Sequence, residues 1–281
     1  MTRAQAVPME RQSGGTAGAG GTTRGVTGSR LRSIAAPAAL GIAVLALWQV
    51  GVAVFDIKPF VLPGPISIGG QFGRSLESVW TGTQVTGANA LVGLALGAVV
   101  GILAAILAAL VRAVDHLSVP IVTAASVIPI VALAPVLYTM FGSGAQTARQ
   151  LVAALAVFIP VYLNTLKGLR QVRPVHRDLM RAYAASPWQA TRAVTLPGAL
   201  PFLFTGLRIA SSLAVISALI AEYFGGPIGG LGKSITSAAA SSNYPLAYAY
   251  VLGSILLGLA FYAVTSSLER LASRHRPPSS V

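Results

Sequence analysis

RQVRPVHRDLMRAYAASPWQATRAVTLPGALP, residues Arg170–Pro201, is a long basic and polar connection in an otherwise greasy chain. Of 281 residues, 54% are hydrophobic and only 10% are charged, and the mean hydropathy is +0.72. Soluble domains carry about a quarter charged residues, so the chain reads as a membrane protein. Connections between membrane helices are usually short. One of this length, with helix signals of its own, reads as a surface made to touch another protein.

Outward from this stretch, runs of roughly 20 apolar residues mark membrane spans. Six are predicted: Ile34–Phe55, Thr86–Val111, Leu117–Phe141, Leu151–Leu166 extended toward Thr147, Phe202–Phe224 and Tyr248–Leu268. Basic residues fall on one side of that topology. Arg3, Arg11, Arg24, Arg30 and Arg32 precede the first span, and Arg112 follows the second. Lys167, Arg170, Arg173, Arg177, Arg181 and Arg192 follow the fourth, and Arg270, Arg274 and Arg276 end the chain. The opposite loops hold only Lys58, Arg74, Arg149 and Lys233. By the positive-inside bias both termini lie in the cytoplasm. The formal net charge of +13 is thereby explained by topology, with a lipid bilayer and not a nucleic acid as the partner.

Residues 1–29 are Gly, Thr, Ala and Ser with scattered Arg, too polar to bury a core, and are predicted to be a disordered cytoplasmic segment. They lack the form of a secretory signal, whereas a mitochondrial presequence would share their basic, acid-poor composition. Residues 30–272 form the predicted membrane domain, with the long connection at about 167–201, and 273–281 a cytoplasmic tail.

Small residues recur every fourth position in the second span (Gly93, Gly97, Gly101, Ala105, Ala109) and in the fifth (Gly206, Ala210, Ala214, Ala218). Such stripes let helix backbones approach closely in lipid. They serve either packing within one bundle or a face toward a second copy or a pathway. Pro129, Pro135 and Pro160 fall inside spans and tend to kink them. Glu222 is the one acid inside a predicted span and continues the second stripe, four residues after Ala218. Intramembrane acids are functional candidates. Glu222, Gly97 and Gly101 are therefore gating or packing candidates, with substrate contact the lesser reading of Glu222. Arg208 sits near the cytoplasmic end of its span, where snorkelling accounts for it.

No catalytic site is legible. There is no cysteine, and His116, His176 and His275 lie in loops or tails. No cofactor or metal site is predicted, and the chain is read as a non-enzyme. The segment PIGGLGKS, residues 227–234, resembles a phosphate-binding loop, but Pro227 stands where that motif requires its first Gly. Its glycines are expected to shape a compact loop. Any chemical energy must come from a partner.

Within the long connection, Pro174 suits a first helical residue, and Val175–Ala185 holds no breaker. Arg170, Arg173, Arg177 and Arg181 share one face wherever the backbone is helical. Ser186 is an N-cap, Pro187 stands in the first turn, and Gln189 closes a capping box. Pro197 is the predicted end of this second helix. The connection thus reads as two short helices with a bend at residues 184–186. Trp188 is either a docking anchor or an interfacial belt residue.

This pattern resembles the cytoplasmic loop of ABC importer permeases, which runs Glu-Ala-Ala, three residues, Gly, nine residues, Ile, one residue, Leu-Pro. Leu196 and Pro197 match its end, Val194 takes the Ile place, and Asp178 the Glu place. Leu179 and Met180 stand for the Ala pair, and Ala184 for the Gly. Ala-Ser-Pro-Trp-Gln (185–189), Leu-Pro-Gly-Ala-Leu-Pro (196–201), Thr-Gly-Leu-Arg (205–208), Ala-Glu (221–222), Gly-Leu-Gly (230–232) and Leu-Pro-Gly-Pro (62–65) resemble the nitrate, sulfonate and taurine group. Together they cover roughly residues 34–270.

The resemblance implies an all-α, type I importer-like permease in a bacterial plasma membrane, working as a homodimer. It further implies a cytoplasmic ATP-binding subunit and an extracytoplasmic solute-binding protein. The solute would be a small organic anion such as a sulfonate, or nitrate, or a vitamin precursor. Coupling residues carried over by position are Asp178, Ala182, Ala184, Ala185, Ser186, Pro187, Trp188, Gln189, Leu196 and Pro197. A non-transporting scaffold or receptor, or an ion-driven secondary transporter, would share the six spans but not these phrases.

Overall fold

The structure is a computed structural model that describes residues 26–273 apart from 143, 173, 227 and 228. The expectations for residues 1–25 and 274–281 therefore lie outside the described residues. The chain divides into two units, residues 1–48 and 49–281. Helix α1 (Val26–Val54) carries the apolar stretch Ala35–Val54. It reaches back to Val26.

The second unit is all helix among its described residues. It contains α2 (Pro65–Arg74), α3 (Leu76–Leu110), α4 (Arg112–Val127), α5 (Ile130–Phe141) and α6 (Thr147–Arg170). The short helices α7 (Pro174–Ala182) and α8 (Pro187–Ala190) and a π-helical turn at Thr191–Thr195 lead into α9 (Leu196–Phe224). Helices α10 (Leu231–Ala240) and α11 (Tyr244–Ser273) complete it. Among the described residues five helices are long and apolar enough to cross a membrane, and six if the bent pair α4–α5 counts as one span.

Helix α6 lies between α3 and α9 and packs against both more extensively than other helix pairs do. The small-residue stripes account for this. A Cβ on Gly93 would collide with Cβ of Ala153, and one on Gly97 with the carbonyl oxygen of Ala154. A Cβ on Gly101 would come 3.1 Å from the carbonyl of Phe158, and one on Gly206 the same distance from that of Pro160. Both stripes therefore face α6 within one bundle. Ala108, not Ala109, continues the first stripe into the interior. Ala90, Ala98, Val157, Val161, Ala210, Ala214 and Ala218 fill the shared core.

Of the prolines inside spans, Pro129 breaks its helix. Ile128 before it is extended, as a residue preceding proline prefers, and α4 and α5 bend by 101° there. Pro135 and Pro160 are instead carried inside α5 and α6, and the carbonyl of Pro160 accepts from Nδ2 of Asn164 at 2.8 Å.

The predicted stop at Pro197 does not occur. Residues Pro187–Phe224 run as one helix of 38 residues. The amide of Leu196 donates to the carbonyl of Thr191, five residues back. That wider π winding gives room for a ring with no N–H to donate. The long connection is therefore shorter than its sequence suggests: its second half is the base of a span.

Gly97→Val should cost about 3 kcal/mol or more, the upper range of overpacking, because its first side-chain carbon meets backbone. Gly73→Ala in α2, where a Cβ has nothing within 4 Å, should be neutral or slightly stabilising. Thermal denaturation in detergent compares the two.

Candidate functional site

The two ends of the 38-residue helix carry the notable chemistry. At its start, α7 ends in a turn where Ala184 holds φ 49°, the left-handed region that favours glycine. The amide of Ala185 donates to the carbonyl of Met180 at 2.9 Å, closing the turn. Glycine would take this conformation without strain, which is why the resembled loop pattern is expected to suit Gly where this chain has Ala184.

Ser186 follows in an extended conformation and caps α8. The amide of Gln189 donates to Oγ of Ser186 at 3.3 Å, and the amide of Ser186 donates to Oε1 of Gln189 at 2.7 Å. The predicted capping box is present with both bonds. Trp188 is 67% exposed, and Val175 and Leu179 on α7 with Tyr183 just after it form an exposed apolar stripe at four-residue spacing. Asp178 pairs loosely with Arg181 at 3.6 Å, and both are exposed. The expected arginine face is interrupted: Arg170 ends α6, separately from Arg177 and Arg181 on α7, and pairs with Asp115 of α4.

Near the middle of α9, Arg208 and Glu269 of α11 form an ion pair at 3.0 Å. Oγ1 of Thr205 donates to Glu269 at 3.2 Å. Arg208 is thus held by a partner on the neighbouring helix, which corrects the snorkelling expectation. Glu269 stands one residue beyond Leu268, the predicted end of the sixth span, where α11 continues to Ser273.

At the far end of α9, Glu222 is fully buried. Its Oε2 accepts from Oγ1 of Thr86 at 2.8 Å and from the amide of Gly232 at 2.9 Å. Thr86 in turn accepts from the amide of Leu231 at 2.8 Å. Arg149, in the first turn of α6, is also fully buried. Its Nη1 lies 3.8 Å from Oε1 of Glu222 and donates to the carbonyl of Gly229 at 3.3 Å and to Oε1 of Gln146 at 3.1 Å. Asn89 donates to the same Gln146 oxygen at 2.9 Å. Tyr138 of α5 accepts from Nε of Arg149 at 3.3 Å and donates to the carbonyl of Ala221 at 3.1 Å. Side chains from α3, α5, α6 and α9 thus converge on the turn before α10.

That turn is built of glycine for a physical reason. Gly230 has φ 98°, and a Cβ there would lie 2.6 Å from the Glu222 carboxylate. A Cβ on Gly232 would strike the carbonyl of Leu219. The rejected phosphate-loop look-alike is therefore a seat for Glu222, followed by a helix that the expectation of a compact loop did not include.

Glu222 faces protein, as its stripe position indicates, but Arg149 was misplaced. Its charge places it among the opposite-side loop bases even though the fourth span is extended toward Thr147. Helix α6 begins at Thr147 and draws Arg149 inside. A signal was available: a lone intramembrane acid needs a cation, and of the four opposite-side bases only Arg149 adjoins an apolar run. Gly97 and Gly101 belong to the α3–α6 contact, away from this cluster.

Comparison with known proteins is consistent with this geometry. Residues 97–275 match the family described as binding-protein-dependent transport system inner membrane component. The chain is 36% identical over 243 residues to the riboflavin transport system permease protein RibX of Chloroflexus aurantiacus, covering 84% of this chain and 90% of that protein. It is 30% identical over 244 residues to the putative aliphatic sulfonates transport permease protein SsuC of Escherichia coli, covering 86% and 92%. A solved structure of an amino acid ABC transporter matches with a TM-score of 0.60 at 16% identity, over 70% of this chain and 95% of that one. That likeness bears on the fold alone.

Arg149→Ala leaves Glu222 buried without its cation and should cost about 3–5 kcal/mol. In a double-mutant cycle with Glu222→Gln the pair should show coupling of about 0.5–3 kcal/mol. Ala184→Gly should stabilise its turn by about 1 kcal/mol through relief of the left-handed conformation, read as slower proteolysis at residues 182–186.

Proposed function

We propose, from the premise that this chain belongs to the family of binding-protein-dependent transport system inner membrane components, that it couples solute import to a cytoplasmic ATPase through residues 178–189. As an ABC importer permease it is a multi-pass inner membrane protein and not an enzyme; ATP hydrolysis belongs to a separate subunit.

The continuity of α8, the π turn and α9 carries the coupling reading. A force applied at Trp188 enters a span without crossing a flexible joint. The capping box fixes the start of α8, and substituting such a cap costs about 1 kcal/mol. The exposed Val175, Leu179, Tyr183 and Trp188 offer the apolar contacts that a helix presents to a groove. Ala184 and Ala185 form the bend, Asp178 and Ala182 lie on α7 leading into it, and Leu196 and Pro197 seat the joint to the span.

The asymmetry of basic residues supports placing α7, α8 and both termini in the cytoplasm, which puts Glu222 at the outer end. The working unit would be a homodimer, served by an extracytoplasmic binding protein. The solute would be a small organic anion or a vitamin-precursor-like molecule, the range spanned by what RibX and SsuC are named for. Arg149 and Arg208 are each engaged by a carboxylate within the bundle, so selectivity is assigned to the binding protein.

Co-purification with the ATPase subunit tests the coupling. Trp188→Ala combined with Ser186→Ala should release the ATPase at least about tenfold more readily, as loss of a hot-spot aromatic does, while the permease stays folded. Retention of the ATPase with unchanged ATP-driven uptake would falsify this role for residues 184–189.

A further inference from the structure

The cluster around Glu222 is left over by the function above: it touches neither the α7–α8 segment nor any identified solute. We propose that Glu222, Arg149 and Thr86 are positioning residues forming a latch, which holds the Gly229–Gly232 turn shut and releases it when α9 moves.

Three helices each grip a different backbone group of one turn. Arg149 of α6 takes the carbonyl of Gly229, Thr86 of α3 the amide of Leu231, and Glu222 of α9 the amide of Gly232. A movement of α9 relative to α3 and α6 cannot leave all three grips intact. Glu222 stands two residues from the end of the helix that begins at Pro187. Displacement at Trp188 is therefore delivered to this carboxylate along one rod.

The turn is suited to move. Gly229 and Gly230, in the turn itself, have φ of 105° and 98°. Two such glycines change backbone conformation at little steric cost. A permanent staple would not need ions, because well-packed apolar residues can replace a buried ion pair at no loss of stability. Here the pair is also loose: 3.8 Å exceeds hydrogen-bond reach, and the guanidinium is shared with Gln146, Tyr138 and Gly229. Charged groups with several near-equivalent partners suit an element with two arrangements.

The outer face of the same turn is accessible. Gly229 and Gly230 line an open pocket of about 480 Å³, together with Arg74, Ser78, Thr81 and Tyr250. The turn thus separates the buried pair from the surface, so its release would alter both.

This inference rests on the proposed ATP-driven import. The assembled complex with its ATPase and binding protein is the material to use, with hydrogen exchange of the amides of Leu231 and Gly232 as the readout. Exchange should be about fivefold or more faster in the ATP-trapped complex than in the nucleotide-free one, the lower end of ordinary coupling between sites. Equal or slower exchange in a complex that hydrolyses ATP overturns the latch and leaves the importer reading standing. A complex with no hydrolysis overturns both. As a second arm, Thr86→Ala should raise hydrolysis without binding protein about fivefold or more and lower solute moved per ATP, with Thr86→Ser restoring both. Parallel loss of uptake and hydrolysis in Thr86→Ala marks a merely structural residue and overturns the proposal.

Discussion

Backbone contact between α6 and its two neighbours is the constraint from which the rest follows. Lipid offers helices no hydrophobic reason to associate, so the bundle relies on close approach at Gly93, Gly97, Gly101 and Gly206, where a side chain would collide with α6. That approach encloses α6 along its length, first turn included. Arg149 is in that turn and is buried as a result. A buried cation requires a counter-charge, and Glu222 on α9 supplies it. Packing of small residues thus dictates the electrostatics, and the electrostatics dictate the glycine-built turn before α10.

The two charged clusters divide the labour of holding α9. Arg208 and Glu269 tie its middle to α11, with Thr205 bonded to the same carboxylate. Glu222 ties its far end to α3, α6 and α10. Between them Ala210, Ala214 and Ala218 pack against α6, and the hydroxyls of Ser211 and Thr265 share a hydrogen bond at 3.0 Å on the α11 side. Polar groups at the middle and far end fix register, while the smooth face toward α6 resists sliding only weakly. For a helix read as transmitting movement, that distribution is physically reasonable.

Much of this was legible in the sequence, for reasons that can be named. Hydropathy located the spans because every backbone group in lipid must be satisfied within a helix. The capping box at Ser186–Gln189 and the bend at Ala184 were readable because both are local. The stripes were readable, though which helix they face was not. Nonlocal features escaped. Arg149 was taken for a loop residue because apolar run-length underestimates a helix whose first turn is polar but enclosed. The Arg208–Glu269 pair joins residues 61 apart, and no local pattern announces it. Pro197 was read as a stop because a π turn ahead of a proline leaves no compositional mark.

The π turn at Thr191–Thr195 also sets an angle. Relative to uninterrupted α winding it accommodates an extra residue, and one residue of an α-helix is about 100° of rotation. The compass bearing of Trp188 about the rod, measured against Glu222, is therefore fixed by the winding of five residues that face neither end. Chain length in this short interval acts as an azimuthal dial: altering it by one residue would swing the aromatic tip about a quarter turn while leaving the interhelical contacts of the span unchanged.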